Sequence, residues 1–218
     1  MGKIMSSINI SEIFYSLQGE GPWVGLPAIF IRLGGCIEPF CPWCDTAWAL
    51  HTFSPMEVGC ICSQVERYDC KRVVITGGEP FIQWETGLDD LHSSLKGYDI
   101  QYETSGKVLI PCLDDAMVVC SPKFIQGRWV FDLRNLDEDM QRVDLFKFLA
   151  GTEGDLDRIQ GFIHLHHIPG RKISIMPMGS TKDEQLMRME MVFEFCRDNR
   201  YAMSPRLHTL IFDNKRGV

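Results

Sequence analysis

Nowhere in the 218 residues does an apolar run approach the length needed to cross a bilayer, so no membrane-spanning role is expected. The opening stretch MGKIMSSINISEIF lacks an apolar segment followed by a small-residue cleavage site. Secretion is therefore not expected, and the cytoplasm is. Positive charge is in deficit: the net charge is −7, and without clustered Lys and Arg tight binding to a phosphate backbone is not expected. A small molecule is the favoured ligand over nucleic acid. No Gly-Lys-Ser phosphate loop and no nucleophile elbow is present. No repeat, low-complexity stretch or Pro/Ser-rich linker divides the chain, so residues 1–218 read as one domain with enough length to bury a core.

Cysteine is plentiful, but the count is odd. Nine cysteines without a secretion signal do not suit a closed disulfide framework, and closely spaced ones point to metal binding or redox chemistry. Cys60, Cys62, Cys70, Cys112, Cys120 and Cys196 fall in apolar patterns and read as small buried hydrophobes.

Short, near-continuous apolar runs at 28–33, 72–76, 100–103, 117–120, 145–149 and 172–176 suit strands of a parallel sheet covered on both faces. A further extended piece at 201–206 is expected to close or edge the sheet. Ser54-Pro55-Met56-Glu57 reads as a helix-capping box, and a helix over 84–96 is expected to stop at Gly97. In a helix over 182–198, Leu186, Met189, Val192, Phe193 and Cys196 form a core stripe. Six βα steps indicate an α/β fold, either an incomplete barrel or a doubly wound sheet. The unusual residues GGCIEPFCPWCDT, GGEP, TSG, SPK, AGT and PMG each follow one run. All six therefore sit at strand carboxyl ends, where parallel α/β folds place their active sites.

Cys36, Cys41 and Cys44 share one loop with spacing Cys-x4-Cys-x2-Cys. Three thiolates that close can hold three irons of a cubane and leave the fourth iron open for a cofactor. A structural zinc site needs a fourth ligand, for which His51, Cys60 and Cys62 are the nearest later candidates. Arg32 interrupts the apolar run IFIRL, where an unpartnered charge is costly. It reads either as a two-pronged grip on a ligand carboxylate or as half of a structural salt bridge.

The ordered set SLQGEG at 16–21, GLPAIFIRLGGC at 25–36, CPWCDT at 41–46, TGGEP at 76–80, ETSG at 103–106, SPK at 121–123 and SPRLH at 204–208 resembles 7-carboxy-7-deazaguanine synthases. The resemblance extends over most of the chain. It implies the incomplete (β/α)6-type barrel of radical S-adenosylmethionine enzymes, with a [4Fe–4S] cluster on Cys36, Cys41 and Cys44. It further implies that S-adenosylmethionine chelates the open iron and that its reductive cleavage starts the reaction. By the same resemblance Trp43, Asp45, Gly77, Gly78, Ser105, Ser121, Pro122 and Lys123 bind that cofactor, the two glycines letting the backbone approach its methionyl end. Leu17, Gln18, Gly19, Arg32 and Thr76 contact the substrate 6-carboxy-5,6,7,8-tetrahydropterin, with Glu20 adjacent, and Thr46 serves Mg²⁺. A reducing protein such as flavodoxin or ferredoxin and a homodimer are implied as partners.

The chain departs from the family pattern twice. The superfamily spacing is Cys-x3-Cys-x2-Cys, whereas Ile37-Glu38-Pro39-Phe40 fills the first gap here. One more residue costs a flexible loop only about 0.2 kcal/mol of closure entropy, so a bulged loop with the same ligands is expected. Met176-Pro177-Met178 stands where many relatives carry a Gln-Pro segment. His164, His166 and His167 read as a polar loop between helix and strand, and Glu12, Asp89, Asp90, Asp137 and Glu138 show no spacing that compels an acid/base pair. A glycyl-radical activase would share the cysteines and GGEP but not Arg32 with SLQGEG. A zinc or iron–sulfur module without catalysis is the third reading.

Overall fold

A computed structural model describes residues 6–136 and 142–217; Asp137 and Glu138 lie outside them. The apolar runs pair as expected. Strands β2 (Pro27–Leu33), β4 (Arg72–Thr76), β5 (Asp99–Thr104), β6 (Ala116–Cys120), β9 (Leu145–Ala150), β10 (Ile173–Pro177) and the short β11 (Ala202–Met203) lie parallel in that spatial order. Each new strand adds beside the last in one direction, and the order never reverses. A doubly wound sheet needs such a reversal; a barrel-type winding does not. Parallel neighbours require crossovers, supplied in part by α1 (Val58–Val65), α2 (Leu88–Ser94), α3 (Glu153–Leu165) and α4 (Lys182–Asn199). Winding one way, all the parallel strands end at one edge.

Two strands of the main sheet were not foreseen. The long β1 (Ser7–Leu17) runs antiparallel to β2, and β3 (Ser54–Glu57) runs antiparallel to β1 through Ser7–Ile10. Ser54–Glu57 is thus strand, not a capping box, because its backbone groups are taken by β1 and the helix begins only at Val58. A small hairpin, β7 (Lys123–Ile125) and β8 (Arg128–Val130), stands apart from the main sheet.

The helix expected over 84–96 is divided. A 3₁₀ segment Pro80–Thr86 ends at Gly87, whose φ of 147° lies outside the helical range, and α2 follows. The helix expected over 182–198 is present, capped by Thr181 and Glu184 in a reciprocal box. Its buried face differs from the expected stripe: Gln185, Val192 and Cys196 point inward, while Leu186 and Phe193 are exposed. The six remaining cysteines also divide, Cys120 and Cys196 buried and Cys60 and Cys112 exposed.

The main core gathers the side chains of one sheet face, from Ile8 to Cys196, and a smaller cluster of Ala28, Phe30 and Val74 lies on the other. On β9 the strand period of two is plain: Phe146 and Phe148 pack with Trp129, Phe131 and Phe162, and Lys147 points the other way. Among the described residues no helix is long and apolar enough to cross a membrane.

Candidate active site

At the carboxyl edge of the strands lies a cavity of about 870 Å³. Its walls include Leu17, Gln18, Gly19, Glu20, Arg32, Cys36, Cys41, Trp43, Cys44, Asp45, Thr46, Thr76, Gly77, Gly78, Ser105, Ser121 and Lys123. Of the residues expected to form the site, Pro122 alone is not on that wall; it is buried between two residues that are.

The β1–β2 pair positions the arginine. Glu12 and Arg32 are cross-strand partners, and Arg32 Nε donates to Glu12 Oε1 at 2.7 Å. The salt-bridge reading of Arg32 holds. Nε is engaged by a salt bridge, and no described hydrogen bond uses Nη1 or Nη2, which remain as donors on the cavity wall. Glu12, set aside in the sequence, is the residue that orients it. The guanidinium also lies 5.9 Å from the Trp48 ring, and Arg216 approaches the same ring to 4.5 Å.

The GGEP turn is pressed onto the cysteine loop. Gly77 and Gly78 have φ of 80° and 51°. A Cβ on Gly78 would overlap the Gly35 carbonyl oxygen, and one on Gly77 would overlap the Arg32 side chain. The glycines thus serve the chain's own packing. Glu79 N–H donates to Gly35 O at 3.1 Å, and the fully buried Glu79 carboxylate accepts from Thr104 Oγ1 at 2.6 Å and Ser105 N at 2.9 Å. One residue, by its backbone N–H and its carboxylate, ties the loops after β2, β4 and β5 together.

Deeper in the cavity lies an ion network. Lys147 Nζ donates to Glu20 Oε2 at 2.7 Å and to Glu103 Oε2 at 2.8 Å. Arg206 Nε donates to Glu20 Oε1 at 2.9 Å, and its Nη2 reaches the Asp45 carboxylate. Burial alone would raise the Glu20 carboxyl, but Lys147 and Arg206 outweigh it and hold Glu20 well below the usual carboxylate range. Burial raises Glu103, with Lys147 opposing it only in part. Burial also lowers Lys123, whose ammonium donates to Ser121 Oγ, and lowers His208. The segment SPRLH closes over SLQGEG: Gly21 N–H donates to Ser204 Oγ at 2.7 Å and Leu207 N–H to Gly19 O at 2.9 Å. Lys147 was missed in the sequence, although it interrupts LFKFLA as Arg32 interrupts IFIRL.

Among the described residues, no three His, Cys, Asp or Glu side chains are gathered to hold a metal ion as they stand. Cys36 Sγ makes a weak 3.9 Å bond to Ile37 O, and Cys44 Sγ lies 3.6 Å from Thr46 Oγ1. Burial raises the Cys36 thiol above its ordinary value. The donor set nevertheless fits an iron–sulfur cluster in its chemistry: three thiols from one loop line the wall of one cavity, with the Lys107 ammonium bonded to the carbonyl of Ile37 beside Cys36. Met176 and Met178 line the same cavity and present an apolar surface to it.

A cavity of this size, opening where parallel strands end and holding ionised side chains out of water, marks an α/β enzyme acting on a small polar molecule. Its relatives narrow that class. The chain is 32% identical to the 7-carboxy-7-deazaguanine synthase of Hyperthermus butylicus, over 94% of this chain and 92% of that protein. It is 31% identical to the Escherichia coli K12 enzyme of the same name, over 91% and 96%. The crystal structure of QueE from Escherichia coli superposes with a TM-score of 0.75 and 27% identity, over 93% of this chain and 95% of that one. No family model matches the chain. The chain belongs to the 7-carboxy-7-deazaguanine synthase family.

Proposed function

We propose that this chain, as a single domain, contracts 6-carboxy-5,6,7,8-tetrahydropterin to 7-carboxy-7-deazaguanine with release of ammonia, in 7-deazapurine biosynthesis of the queuosine type. The observation that carries the reading is the convergence on one cavity of three loop thiols, an arginine with two uncommitted donor groups and a buried, ionised carboxylate. Cys36, Cys41 and Cys44 would hold a [4Fe–4S] cluster, and Trp43, Asp45, Gly77, Gly78, Ser105 and Ser121–Lys123 would surround S-adenosylmethionine. Bound there, the two groups supply one-electron radical chemistry, while the protein contributes binding, orientation and exclusion of water.

Arg32 offers Nη1 and Nη2 to the substrate carboxylate, held in plane by Glu12 on Nε. Glu20, kept ionised by Lys147 and Arg206, is an acceptor for ring N–H groups of the pterin. Leu17, Gln18, Gly19 and Thr76 shape the same wall. Magnesium at Thr46 would take one hydroxyl from the protein and its other ligands from substrate and water, the usual pattern for an ion that dehydrates reluctantly. The family resemblance adds a flavodoxin- or ferredoxin-type reductant and a homodimer, and a monomer in light scattering would contradict the latter.

Anaerobically reconstituted protein, given S-adenosylmethionine, reductant, Mg²⁺ and the carboxypterin, is expected to form the deazaguanine. Absence of product from protein with a full complement of iron and sulfide would reject the substrate. Failure to take up iron and sulfide at all would reject the radical chemistry.

A further inference from the structure

The first gap of the cysteine loop, Ile37-Glu38-Pro39-Phe40, forms no backbone–backbone hydrogen bond among the described residues. Its carbonyls are instead taken by a side chain from another strand's loop. Lys107 Nζ donates to Pro39 O at 2.6 Å and to Ile37 O at 3.4 Å. Lys107 is half-buried on the cavity wall and pairs with no carboxylate among the described residues. Its positive charge therefore sits against the loop, bonded to the carbonyl of the residue next to Cys36.

The backbone that presents Lys107 is held on both sides. Asn135, fully buried, donates from Nδ2 to Gly106 O and to Val108 O, each at 3.0 Å, and accepts Ile110 N–H on Oδ1 at 2.8 Å. Gly106 N–H donates to Thr104 Oγ1 at 3.0 Å. The residues flanking Lys107 are thus anchored by bonds that do not involve the cysteine loop. An ammonium with three donors can serve two carbonyls at once, which an apolar side chain cannot.

From this juxtaposition we infer that Lys107 is a positioning residue. It ties together the four-residue gap between Cys36 and Cys41, and it sets a positive charge beside the metal cluster that the loop holds. The inference rests on the cluster assignment under Proposed function. Two consequences follow. Losing the tie frees a four-residue gap that has no backbone–backbone bonds of its own among the described residues. Losing the charge lowers the reduction potential, because a nearby cation favours the more negative, reduced cluster.

The test uses the full chain with Lys107→Met, Lys107→Gln and, as a control on an exposed lysine, Lys96→Met. The first readout needs no metal: chymotryptic cleavage after the exposed Phe40 in protein stripped of iron. Lys107→Met is expected to speed that cleavage several-fold, while Lys107→Gln, which keeps a donor, raises it less. The second readout is the midpoint potential of the reconstituted cluster, expected to shift negative in both Lys107 variants and to stay unchanged in Lys96→Met. Wild-type rates of cleavage together with a wild-type potential in Lys107→Met would overturn the inference. If Lys107→Met does not fold, Lys107→Gln decides by its potential alone, and a wild-type value there overturns it. Wild-type protein that takes up no iron and sulfide would instead sink the cluster assignment, and the cleavage readout would still judge the tie.

Discussion

The two faces of β9 are built on opposite principles. Phe146 and Phe148 point into an aromatic cluster with Trp129, Phe131 and Phe162, ring centroids 4.7–6.2 Å apart among those that touch. Lys147, between them in sequence, is 4% exposed and bridges two carboxylates. Dispersion and burial on the aromatic face are spread over many small contacts. On the ionic face each member is needed by the next, because a buried charge without its partner keeps its desolvation cost and loses its compensation. The aromatic face should therefore yield gradually, and the ionic face abruptly.

The sharpest way to break this contrast is a pair of substitutions at adjacent positions. Lys147→Met strands Glu20 and Glu103 and is expected to cost about 3–5 kcal/mol in urea unfolding. Phe148→Leu should cost only about 1–2 kcal/mol, since the cluster can partly collapse around it. Equal costs would erase the distinction. Next in size, Arg32→Lys keeps the charge but not the planar fork. A fall in kcat/KM of roughly 10–100-fold, mainly in KM, is expected if the fork binds substrate. An unchanged KM would assign Arg32 to the Glu12 pair alone.

The pH dependence sharpens the comparison further. Glu20 titrates below its ordinary 4.5 in the folded chain, so its contribution to stability is full above that value and is lost as the pH falls through the lower, folded one. Glu103 is raised, so its contribution has the opposite sign: stability is gained as the pH falls from its folded value toward 4.5. Urea unfolding should therefore show stability held or slightly rising from pH 7 to about 5 and falling below 4.5, with a shallower fall in Glu20→Gln. The same acid slope in both proteins would remove Glu20 from the account. The smallest effect is expected outside both faces. Phe193→Gln, at a position 57% exposed on α4, should change stability by no more than about 0.5 kcal/mol.

The parallel strands were legible because a strand covered on both faces is written as an unbroken apolar run; β4 falls on the expected residues 72–76. β1 was not, because its register shifts between Ile10 and Glu12 and breaks the alternation SINISEIF would otherwise show. Ser54-Pro55-Met56-Glu57 misled because residue types that cap a helix also fit a short edge strand, and only the pairing with Ser7–Ile10 decides. At the site, Cys36, Cys41, Cys44, Gly77 and Gly78 were legible from local motifs. The ion network was not: Lys147 lies 127 residues from Glu20 and 44 from Glu103, and no local pattern joins them. A lone cation inside an apolar run was the available signal, followed at Arg32 and passed over at Lys147.

Glu20 and Arg206 stand 186 positions apart, yet their side chains are bonded to each other. During synthesis the early carboxylate leaves the ribosome long before its guanidinium exists. Until then the mouth of the cavity has no SPRLH segment across it, and Glu20 lacks one of its two cations. A nascent chain halted anywhere before residue 206 would therefore carry its thiol loop beside an open chamber, with Asp45 and Glu20 each short of the guanidinium that later joins them.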